Sequence, residues 1–447
     1  MESTFEFLRF VQSKDLSFWD VKRLSFSFSN LSKTYSSVRL ENILTPIKNK
    51  IKKDEYNGKL PIISKISFND GKIHLRDDFK TGMDLYSLSL NDLLISNINF
   101  HQGATAINKI GDVVCSTHYQ PYRIDFFKVI PEYLILVLRN KIFLEYVSQQ
   151  KTNGIKTESN YNFIKNLEIP LPSIEKQKEL VAQYDALLNV ARDKENQADT
   201  KEQSIDDYLM AELGIKENLP STSNSLFQIG EYKVLSNWDI KTLEKNQNFL
   251  SSSKYSTYKC SQILSINPST VLPSDKNTEI SFIPMENVSD AYGKVMRLDK
   301  KNVTMAKGYT KFKNGDLIWA KITPCMQNGK SAVVDNLLNG YGCGSTEFYV
   351  IRNDKITEKL NTNFLHLLLR MKLVLNEAMK TFTGACGQQR VPVGFIKELQ
   401  IPLPPLSIQH RILEEVTFRK EQVKSLRKES EKLRLQAISD FEKEVFN

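Results

Sequence analysis

The chain contains two closely similar segments, FIKNLEIPLPSIEKQ at residues 163–177 and FIKELQIPLPPLSIQ at residues 395–409. In both segments an apolar run ends in IPLP, where the prolines stop a strand and force an extended entry into the next element. After each IPLP the sequence becomes highly charged and stays free of glycine and proline over the span of a long helix. The pair therefore predicts two copies of one unit, each followed by a long helix.

Further matches lie on either side of this pair and keep the same order in both halves of the chain. They are separated by roughly 220 to 232 residues, far more than the period of a solenoid repeat. The drift in spacing is what loops of different length on one scaffold would produce. The alternative is two unrelated mixed domains that share common strand patterns. The matched blocks are LSFWDVK (16–22) with LSNWDIK (235–241), YSSVRLENIL (35–44) with YSTYKCSQIL (255–264), LNDLLISNIN (90–99) with NGDLIWAKIT (314–323), Ser116-Thr117 with Ser345-Thr346, and PEYLILVLR (131–139) with TNFLHLLLR (362–370).

Each repeat shows the same order of secondary-structure signals. Runs such as DLLISNINF and DLIWAKITP are rich in Ile, Leu and aromatic residues and end in polar or glycine-containing loops, which predicts strands. One short amphipathic helix is then expected in each repeat, around residues 134–147 and 364–379. The predicted fold class is α+β, with two β-rich mixed domains in a pseudo-two-fold repeat, joined by two long antiparallel coiled-coil-like helices. The predicted boundaries are 1–172 for the first domain, 173–215 for the central helix, 216–404 for the second domain and 405–447 for the C-terminal helix.

Both long helices carry apolar residues at an alternating spacing of four and three, which is typical of a coiled-coil seam. A helix of about 39 residues would be nearly 60 Å long. Ser173 and Ser407 are predicted N-caps, and Gly214 is a predicted C-terminal stop. Several polar residues interrupt the seam, so ordinary amphipathic surface helices remain the alternative. The seam positions are Leu180, Tyr184, Leu187, Ala191, Lys194, Ala198, Lys201, Ile205 and Tyr208 in the first helix, and Ile412, Val416, Arg419, Val423, Leu426, Ser430, Leu433 and Ala437 in the second.

Composition narrows the class of protein. The chain has 447 residues and a formal net charge of +9, which suits a polyanionic partner such as nucleic acid. No apolar run is long enough to span a membrane, and the N-terminus lacks the pattern of a secretory signal, so a cytoplasmic protein is expected. The cysteines lie far apart without a CxxC pair, which predicts buried free thiols instead of a zinc site or disulfides. They are Cys115, Cys260, Cys325, Cys343 and Cys386.

The motifs of the second half resemble those of the specificity subunit of type I restriction-modification systems. They are FIPMENV (282–288), NGDLIWAKITPCMQNGKSA (314–332), GCGSTEFYVIR (342–352), TGACGQQRVP (383–392) and IPLPPLSIQHRI (401–412). The first half matches more loosely, through ISNINFHQGATA (95–106), CSTHYQPYRID (115–125) and IPLPSIEKQ (169–177). The resemblance covers nearly the whole chain.

This resemblance implies a function and a set of partners. Each repeat would be a target-recognition domain that reads one half of a split site in double-stranded DNA. Two methyltransferase subunits would dock on the chain and modify adenine, and two restriction (motor-nuclease) subunits would complete the assembly. S-adenosylmethionine, ATP and magnesium would bind those partners, and no cofactor or metal is expected in this chain.

The motifs that catalysis would require are missing from the sequence. NGKSA (328–332) ends like a phosphate-binding loop, but Pro324 occupies the position of its required glycine. Neither the Asn/Asp-Pro-Pro-aromatic segment of an aminomethylating enzyme nor a G-x-G-x-x-G turn occurs. The histidines have no metal-ligand spacing, and His366 lies in an apolar run where a core position is expected. No motif in the sequence therefore argues for catalysis, in line with the non-catalytic subunit that the resemblance implies.

Candidate DNA-reading residues are polar side chains in loops at equivalent positions of the two repeats. Arginine and lysine hydrogen-bond to guanine edges, asparagine and glutamine to adenine, and a carboxylate to the cytosine amine. Contact with phosphate alone, or no contact, remains the alternative for each residue, and Glu347 could instead pair with a lysine. The candidates are Asn97, Asn99, His101, Gln102, His118, Lys151, Asn153 and Lys156 in the first repeat, and Lys321, Gln327, Asn328, Lys330, Glu347, Gln388, Gln389 and Arg390 in the second.

Two other functions fit the same pattern. The chain could be a two-headed protein–protein scaffold without DNA binding, or the specificity subunit of a system that only modifies DNA. Trp19 and Trp238, at matching positions, are predicted packing anchors.

Overall fold

The computed structural model describes residues 32–150, 161–216, 249–385 and 387–446. The chain divides into two compact units: unit 1 comprises residues 1–194 and 428–447, and unit 2 comprises residues 195–427. The matched segments LSFWDVK and LSNWDIK, with Trp19 and Trp238, lie outside the described residues.

Unit 1 is built around a four-stranded antiparallel sheet with the strand order β2-β10-β7-β8. A second sheet has the order β3-β6-β9, and two strand pairs, β4-β5 and β1-β11, complete the described strands. The strands are β1 (Ser37–Arg39), β2 (Leu44–Pro46), β3 (Lys50–Ile51), β4 (Ile63–Ile66), β5 (Ile73–Leu75), β6 (Leu85–Leu88), β7 (Leu93–Ser96), β8 (Thr105–Ile107), β9 (Val113–Ser116), β10 (Tyr119–Ile124) and β11 (Glu168–Pro170).

Unit 2 repeats this plan with the antiparallel order β13-β20-β17-β18. Its second sheet has the order β15-β14-β19-β16, in which β14 and β19 run parallel, and β12 pairs with β21. The strands are β12 (Thr257–Lys259), β13 (Ser265–Ile266), β14 (Glu279–Ile283), β15 (Asp299–Asn302), β16 (Thr310–Lys313), β17 (Asp316–Ala320), β18 (Ser331–Val334), β19 (Tyr341–Gly344), β20 (Phe348–Arg352) and β21 (Gln400–Pro402).

The register of the terminal strands repeats as well. Ser37 of β1 lies opposite Pro170 of β11, and Thr257 of β12 lies opposite Pro402 of β21. Each IPLP segment therefore closes its own unit by pairing with the strand that opens it. The internal repeat predicted from the sequence is confirmed.

The sequence also explains which strands are central. All residues of β7 (LLIS) and of β17 (DLIWA) are buried, and each of these strands has a neighbour on both sides. Continuous apolar runs of this length are typical of strands covered on both faces. Trp319 in β17 is 1% exposed and belongs to the main core of unit 2, which also contains Phe364 and Leu368.

Helices pack against each sheet and then lead into the long helices. The helices are α1 (Pro131–Arg139), α2 (Lys141–Gln150), α3 (Tyr161–Ile164), α4 (Ile174–Leu213), α5 (Cys260–Ile263), α6 (Thr362–Leu369), α7 (Lys372–Met379), α8 (Val393–Glu398) and α9 (Leu406–Phe446).

The prediction of one amphipathic helix in each repeat was wrong, because two helices occupy each segment. Asn140 separates α1 from α2. Its backbone is extended, and its side-chain oxygen accepts a hydrogen bond from Ile142 N at 2.8 Å. The backbone of Met371 is also extended between α6 and α7, but its side chain makes no capping hydrogen bond. Asparagine ends one helix and begins the next because its side chain satisfies a backbone N–H that helical residues leave free.

The long helices run antiparallel within unit 1. Near the start of α4, Lys176 Nζ lies 3.7 Å from a carboxylate oxygen of Glu444, close to the end of α9. Further along, Ser430 Oγ donates to Ala191 O at 2.8 Å, and both residues are fully buried. The polar serine on the predicted seam is therefore satisfied by the facing helix.

The antiparallel arrangement also holds within unit 2. Arg411 and Glu212 form an ion pair at 2.9 Å, and Arg427 pairs with Glu202 at 2.7 Å. Buried seam residues include Ala198 and Ile205 on α4 and Ile412, Val416 and Val423 on α9. The predicted pair of long helices is confirmed in both units.

The caps match the prediction at two of three positions. Ser173 Oγ accepts a hydrogen bond from Lys176 N at 3.3 Å, as expected of an N-cap. Gly214 has a φ of +64°, and Ile215 N donates to Met210 O at 2.8 Å, which forms the six-residue hydrogen bond of a Schellman ending. Ser407 is not the N-cap, because α9 already begins at Leu406 and the serine lies inside its first turn.

A buried glutamine in the first turn of each long helix ties that helix to its own unit. Gln177 and Gln409 are both fully buried, and they end the two segments with which the sequence comparison began. Each amide nitrogen donates to two backbone carbonyls, and each amide oxygen accepts from one backbone N–H. The partners are Lys128 O, Pro172 O and Ile130 N for Gln177, and Lys359 O, Pro404 O and Asn361 N for Gln409, all at 2.7–2.9 Å.

Candidate nucleic-acid interface

Three segments of unit 2 that hold the predicted DNA-reading residues are brought together by backbone hydrogen bonds. They are the loop 321–330 after β17, the turn 345–347 before β20, and the loop 383–391 before α8. Lys321 N donates to Glu347 O, Val391 N donates to Lys321 O, and Thr323 N donates to Gln389 O, each at 2.9 Å. We call these three segments the reading edge of unit 2.

Glu347 and Arg390 form an ion pair at the centre of this edge. Arg390 Nε lies 2.9 Å from Oε2 of Glu347, and Nη2 lies 2.8 Å from Oε1, so the contact is bidentate. The hydrogen bonds from Arg390 hold the pKa of Glu347 below its usual value. A third donor, Nη1, binds Gln388 O at 3.0 Å. A guanidinium has five N–H groups, so these partners leave two of them unengaged.

The other predicted residues of unit 2 differ in how firmly they are held. Gln327, Asn328 and Gln388 are exposed, and Gln389 is half-buried. Lys321 is half-buried, with Nζ 5.3 Å from the centre of the Tyr349 ring. The ammonium group of Lys330 donates to Met285 O at 3.2 Å and is therefore engaged within the protein.

Unit 1 places its predicted residues on equivalent elements. Asn97 follows β7 as Lys321 follows β17, and Asn97 N donates to His118 O at 2.9 Å. His118 lies in the turn before β10, as Glu347 lies in the turn before β20, and it is exposed. The two units therefore use the same backbone contact to join the loop to the turn.

The side chain of Asn97 is turned into the unit. Its Nδ2 donates to Thr117 O at 3.0 Å, and its Oδ1 is buried without a hydrogen-bond partner in the described part of the chain. His101 and Gln102 lie in a short 3-10 turn (Phe100–Gln102) that follows Asn99. Gln102 is exposed, whereas Asn99 and His101 are half-buried. Lys151, Asn153 and Lys156 lie outside the described residues.

Two arginines hold the loops after β7 and β17 in place, and neither was among the residues predicted from the sequence. Arg139, at the end of α1, donates from Nη1 to Gly103 O and from Nη2 to Phe68 O. Arg370, just after α6, donates in the same way to Gly329 O and Asp290 O. Burial lowers the pKa of both guanidinium groups from the ordinary value. The signal was present, since both arginines end the matched blocks PEYLILVLR and TNFLHLLLR.

A half-buried histidine contacts the end of the loop 321–330 in unit 2. His366 Nε2 lies 3.0 Å from Ser331 Oγ, at the point where the loop enters β18. Burial lowers the pKa of His366 to about 3, so the ring is neutral near pH 7. The core position predicted for His366 is therefore only partly met, because the side chain is half-buried while its neighbours Leu365 and Leu367 are buried in the core.

The described residues contain no arrangement that would hold a metal ion through three or more His, Cys, Asp or Glu side chains. Cys115, Cys260 and Cys343 are buried free thiols, as predicted, and Cys325 is a half-buried one, while Cys386 lies outside the described residues. Within the same ranges, no helix has the length and apolar character needed to cross a membrane.

Residues 33–200 and residues 252–433 each match the Type I restriction modification DNA specificity domain. The chain belongs to this family. The two matches begin just before β1 and just before β12, so each copy of the specificity domain opens with the strand that pairs with its IPLP segment.

Curated relatives of the specificity-domain family match part of the chain. Over 153 residues, 34% of the chain, the sequence is 40% identical to the Type I restriction enzyme EcoAI specificity subunit of Escherichia coli. Over 154 residues, also 34% of the chain, it is 38% identical to the Type I restriction enzyme EcoEI specificity subunit of the same organism. The matched region spans about a quarter of the length of these relatives, 26% and 25% respectively.

A solved structure shares the fold over most of the chain. It is described as "Structural basis underlying complex assembly and conformational transition of the type I R-M system" and superposes with a TM-score of 0.59 at 15% sequence identity. The superposition covers 92% of this chain and 96% of that chain. At this level of identity the likeness shows a common fold.

Proposed function

We propose that this chain is the specificity subunit of a type I restriction-modification complex and reads a bipartite target in double-stranded DNA, one half with each unit. The recognition domains would be residues 1–172 and 216–404, and the helices 173–215 and 405–447 would serve as spacers. The proposal rests on family membership and on the presence of one equivalent reading edge in each unit.

The observation that carries the proposal is the repeated joining of loop and turn. The same backbone hydrogen bond links Asn97 to His118 in unit 1 and Lys321 to Glu347 in unit 2. The side chains at these joined positions differ in charge and in hydrogen-bonding capacity, as two readers of different base sequences require. The backbone hydrogen bond between loop and turn is the same in both units, whereas the side chains at the joined positions differ. This combination supports recognition of two different half-sites.

The chemistry at the unit 2 edge supports contact with base pairs. Among the described residues, the partners of Arg390 leave two of its N–H groups unused, and Glu347 fixes the plane of its guanidinium. A planar arginine held in this way donates two parallel hydrogen bonds to a guanine edge. The exposed amides of Gln327, Asn328 and Gln388 supply the donor and acceptor pairs that suit adenine.

The chain would act without chemistry of its own. Two methyltransferase subunits that bind S-adenosylmethionine would modify adenine in each half-site. Restriction subunits that bind ATP and magnesium would translocate and cut unmodified DNA. Family membership and the absence of catalytic motifs from the sequence support this division of labour.

The proposal is tested by co-expressing the chain with the methyltransferase subunit encoded beside it, in a host free of DNA methylation. Single-molecule sequencing then maps modified adenines across the genome. We expect one split motif, methylated on both strands across a fixed gap. A control strain with the methyltransferase subunit alone should show no such motif.

Two other outcomes separate the alternatives. A soluble complex of both chains that leaves the genome unmethylated and does not bind DNA in a salt-dependent way would favour a protein–protein scaffold. Methylation without restriction of incoming phage, even with all genes of the locus present, would indicate a modification-only system.

A further inference from the structure

Each unit contains a short turn of similar sequence that lies outside the matched blocks. It reads SFNDGK at residues 67–72 and SDAYGK at residues 289–294. In both copies the serine N–H donates to the lysine carbonyl, at 2.9 and 3.0 Å, and the glycine N–H donates to the serine carbonyl, at 2.9 and 3.1 Å. We call it the glycine-lysine turn. The three residues between serine and glycine differ completely between the copies.

The glycine of this turn makes room for the buried arginine. Gly71 and Gly293 have φ values of +71° and +61°, which strongly favour glycine. A Cβ atom added at Gly71 would lie 2.8 Å from Nη1 of Arg139, and one added at Gly293 would lie 2.8 Å from Cζ of Arg370. The turn and the guanidinium therefore fit against each other in both units.

The same arginine also holds the loop that follows β7 in unit 1 and β17 in unit 2. We call this loop the reading loop, because it contains several of the predicted DNA-reading residues. In unit 1, Arg139 donates to Phe68 O of the turn and to Gly103 O of the loop after β7. In unit 2, Arg370 donates to Asp290 O of the turn and to Gly329 O of the loop after β17. A planar guanidinium bridges two backbone segments with separate N–H groups, which a single lysine ammonium does less well.

We infer that Arg139 and Arg370 are positioning residues, each of which fixes the glycine-lysine turn beside the reading loop so that both contact DNA. The turn then contributes the exposed side chains of Lys72 and Lys294. A lysine retained at the same exposed place in both copies, where every neighbour between serine and glycine has changed, fits a phosphate contact that does not depend on base sequence. This inference rests on the proposed function, since it assumes that the loops read DNA.

The test uses the complex of the full chain with its methyltransferase subunit and measures its affinity for four duplexes. These are the mapped target, the target altered in one half, the target altered in the other half, and an unrelated sequence. We expect Arg370→Lys to lower discrimination at the half-site read by unit 2 about tenfold, near the lower end of the effect of one base contact. Discrimination at the other half-site should stay unchanged, and Arg139→Lys should show the reverse.

A matched control separates positioning from general destabilisation. Arg352 pairs with Asp316 at the opposite end of β17, and its side chain is also largely buried, at 11% exposed. Arg352→Lys should lower the melting temperature of the complex but leave discrimination at both half-sites intact. Equal loss of discrimination in Arg352→Lys and Arg370→Lys would overturn the inference, as would full discrimination in Arg370→Lys.

The lysine contact has its own readout. Lys294→Gln should weaken binding to all four duplexes alike and lower the dependence of log K on log salt by about one. An unchanged salt dependence would remove the turn from the DNA-contacting surface. An unaltered complex that prefers no split target would refute the proposed function and the inference that rests on it, whereas a split-target preference that Arg370→Lys keeps in full would refute the inference alone.

Discussion

Unit 1 has Asn97 and His118 where unit 2 has Lys321 and Glu347, yet the backbone hydrogen bond that joins each pair has the same length, 2.9 Å. By contrast, the side chains that hold the frameworks together have hardly changed: Gln177 corresponds to Gln409. The difference teaches that the buried contacts define a scaffold, while the edge is free to vary. Four predictions test this difference, in order of decreasing effect.

The largest effect is expected at Gln177 and Gln409, which make the same set of hydrogen bonds in the two units. Replacing Gln409 with leucine leaves one N–H and two carbonyls without their partner, one of them buried (Pro404 O) and two partly buried, which should cost unit 2 about 3 to 5 kcal/mol of unfolding free energy. Gln177→Leu should cost unit 1 a similar amount. Urea titration followed by hydrogen exchange resolves the two units. Gln203→Leu, at an exposed position of α4, is the control, and a loss no larger than in the control would show that the buried amides are dispensable.

A smaller effect is expected for an aspartate–arginine ion pair that is present in both units but is more deeply buried in unit 2. Asp316 and Arg352 are 1% and 11% exposed and lie 2.7 Å apart, whereas Asp92 and Arg123 are 6% and 66% exposed and lie 3.5 Å apart. Asp316→Asn should therefore cost about 3 kcal/mol, as expected for breaking a buried pair. Asp92→Asn should cost less than about 1 kcal/mol for the lost ion pair. Equal losses in the two variants, measured by urea unfolding, would contradict this reasoning.

The third effect concerns the edge, where the units differ. Arg390→Ala should reduce discrimination at one half-site by about 1 to 3 kcal/mol. Glu347→Gln should have a smaller effect in the same half-site, because it loosens the guanidinium without removing it. Binding assays with targets altered in either half check both variants. Unchanged recognition of both halves by Arg390→Ala would remove this residue from the set of readers.

The fourth effect is the smallest when it is counted for one unit of pH, and it distinguishes the two units by their pH dependence. His366 has a pKa of about 3 in the folded unit 2, whereas unit 1 has Ile135 at the matching position. Below the usual histidine pKa of about 6.5 the unfolded chain binds a proton that the folded unit does not, so unit 2 loses stability as the pH falls, by at most about 1.4 kcal/mol per pH unit. His366→Ile should flatten this dependence between pH 4 and 6.5. Hydrogen exchange of unit 1 serves as the internal control.

Most of the framework could be predicted from the sequence, because local patterns encode it. The IPLP segments, the strand runs and the heptad spacing of residues such as Ala191 and Ile412 depend on periods of two and of three and a half, which can be counted along the chain. The error at Ser407 shows the limit of local signals, since serine caps a helix only where the backbone leaves the helical conformation.

The contacts at the edge could not be predicted in the same way. Glu347 and Arg390 are 43 residues apart in the sequence, and their pairing depends on a loop that returns to the end of β17. Arg139 and Arg370 ended recognised blocks, but each acts on carbonyl groups, which carry no sequence signal. Lys330 was expected to face DNA because it lies in a polar loop, and the loop turns its ammonium group towards Met285 O.

The composition of unit 1 has a consequence for how the protein is made. Residues 428–446 belong to this unit, and Phe441, Val445 and Phe446 are buried in its main hydrophobic core. A ribosome synthesises them only after all of unit 2 has been completed. The first part of the chain must therefore wait with an unfinished core, while unit 2 has its entire sequence available earlier. The half of the protein that is translated first is the last to have its whole core available.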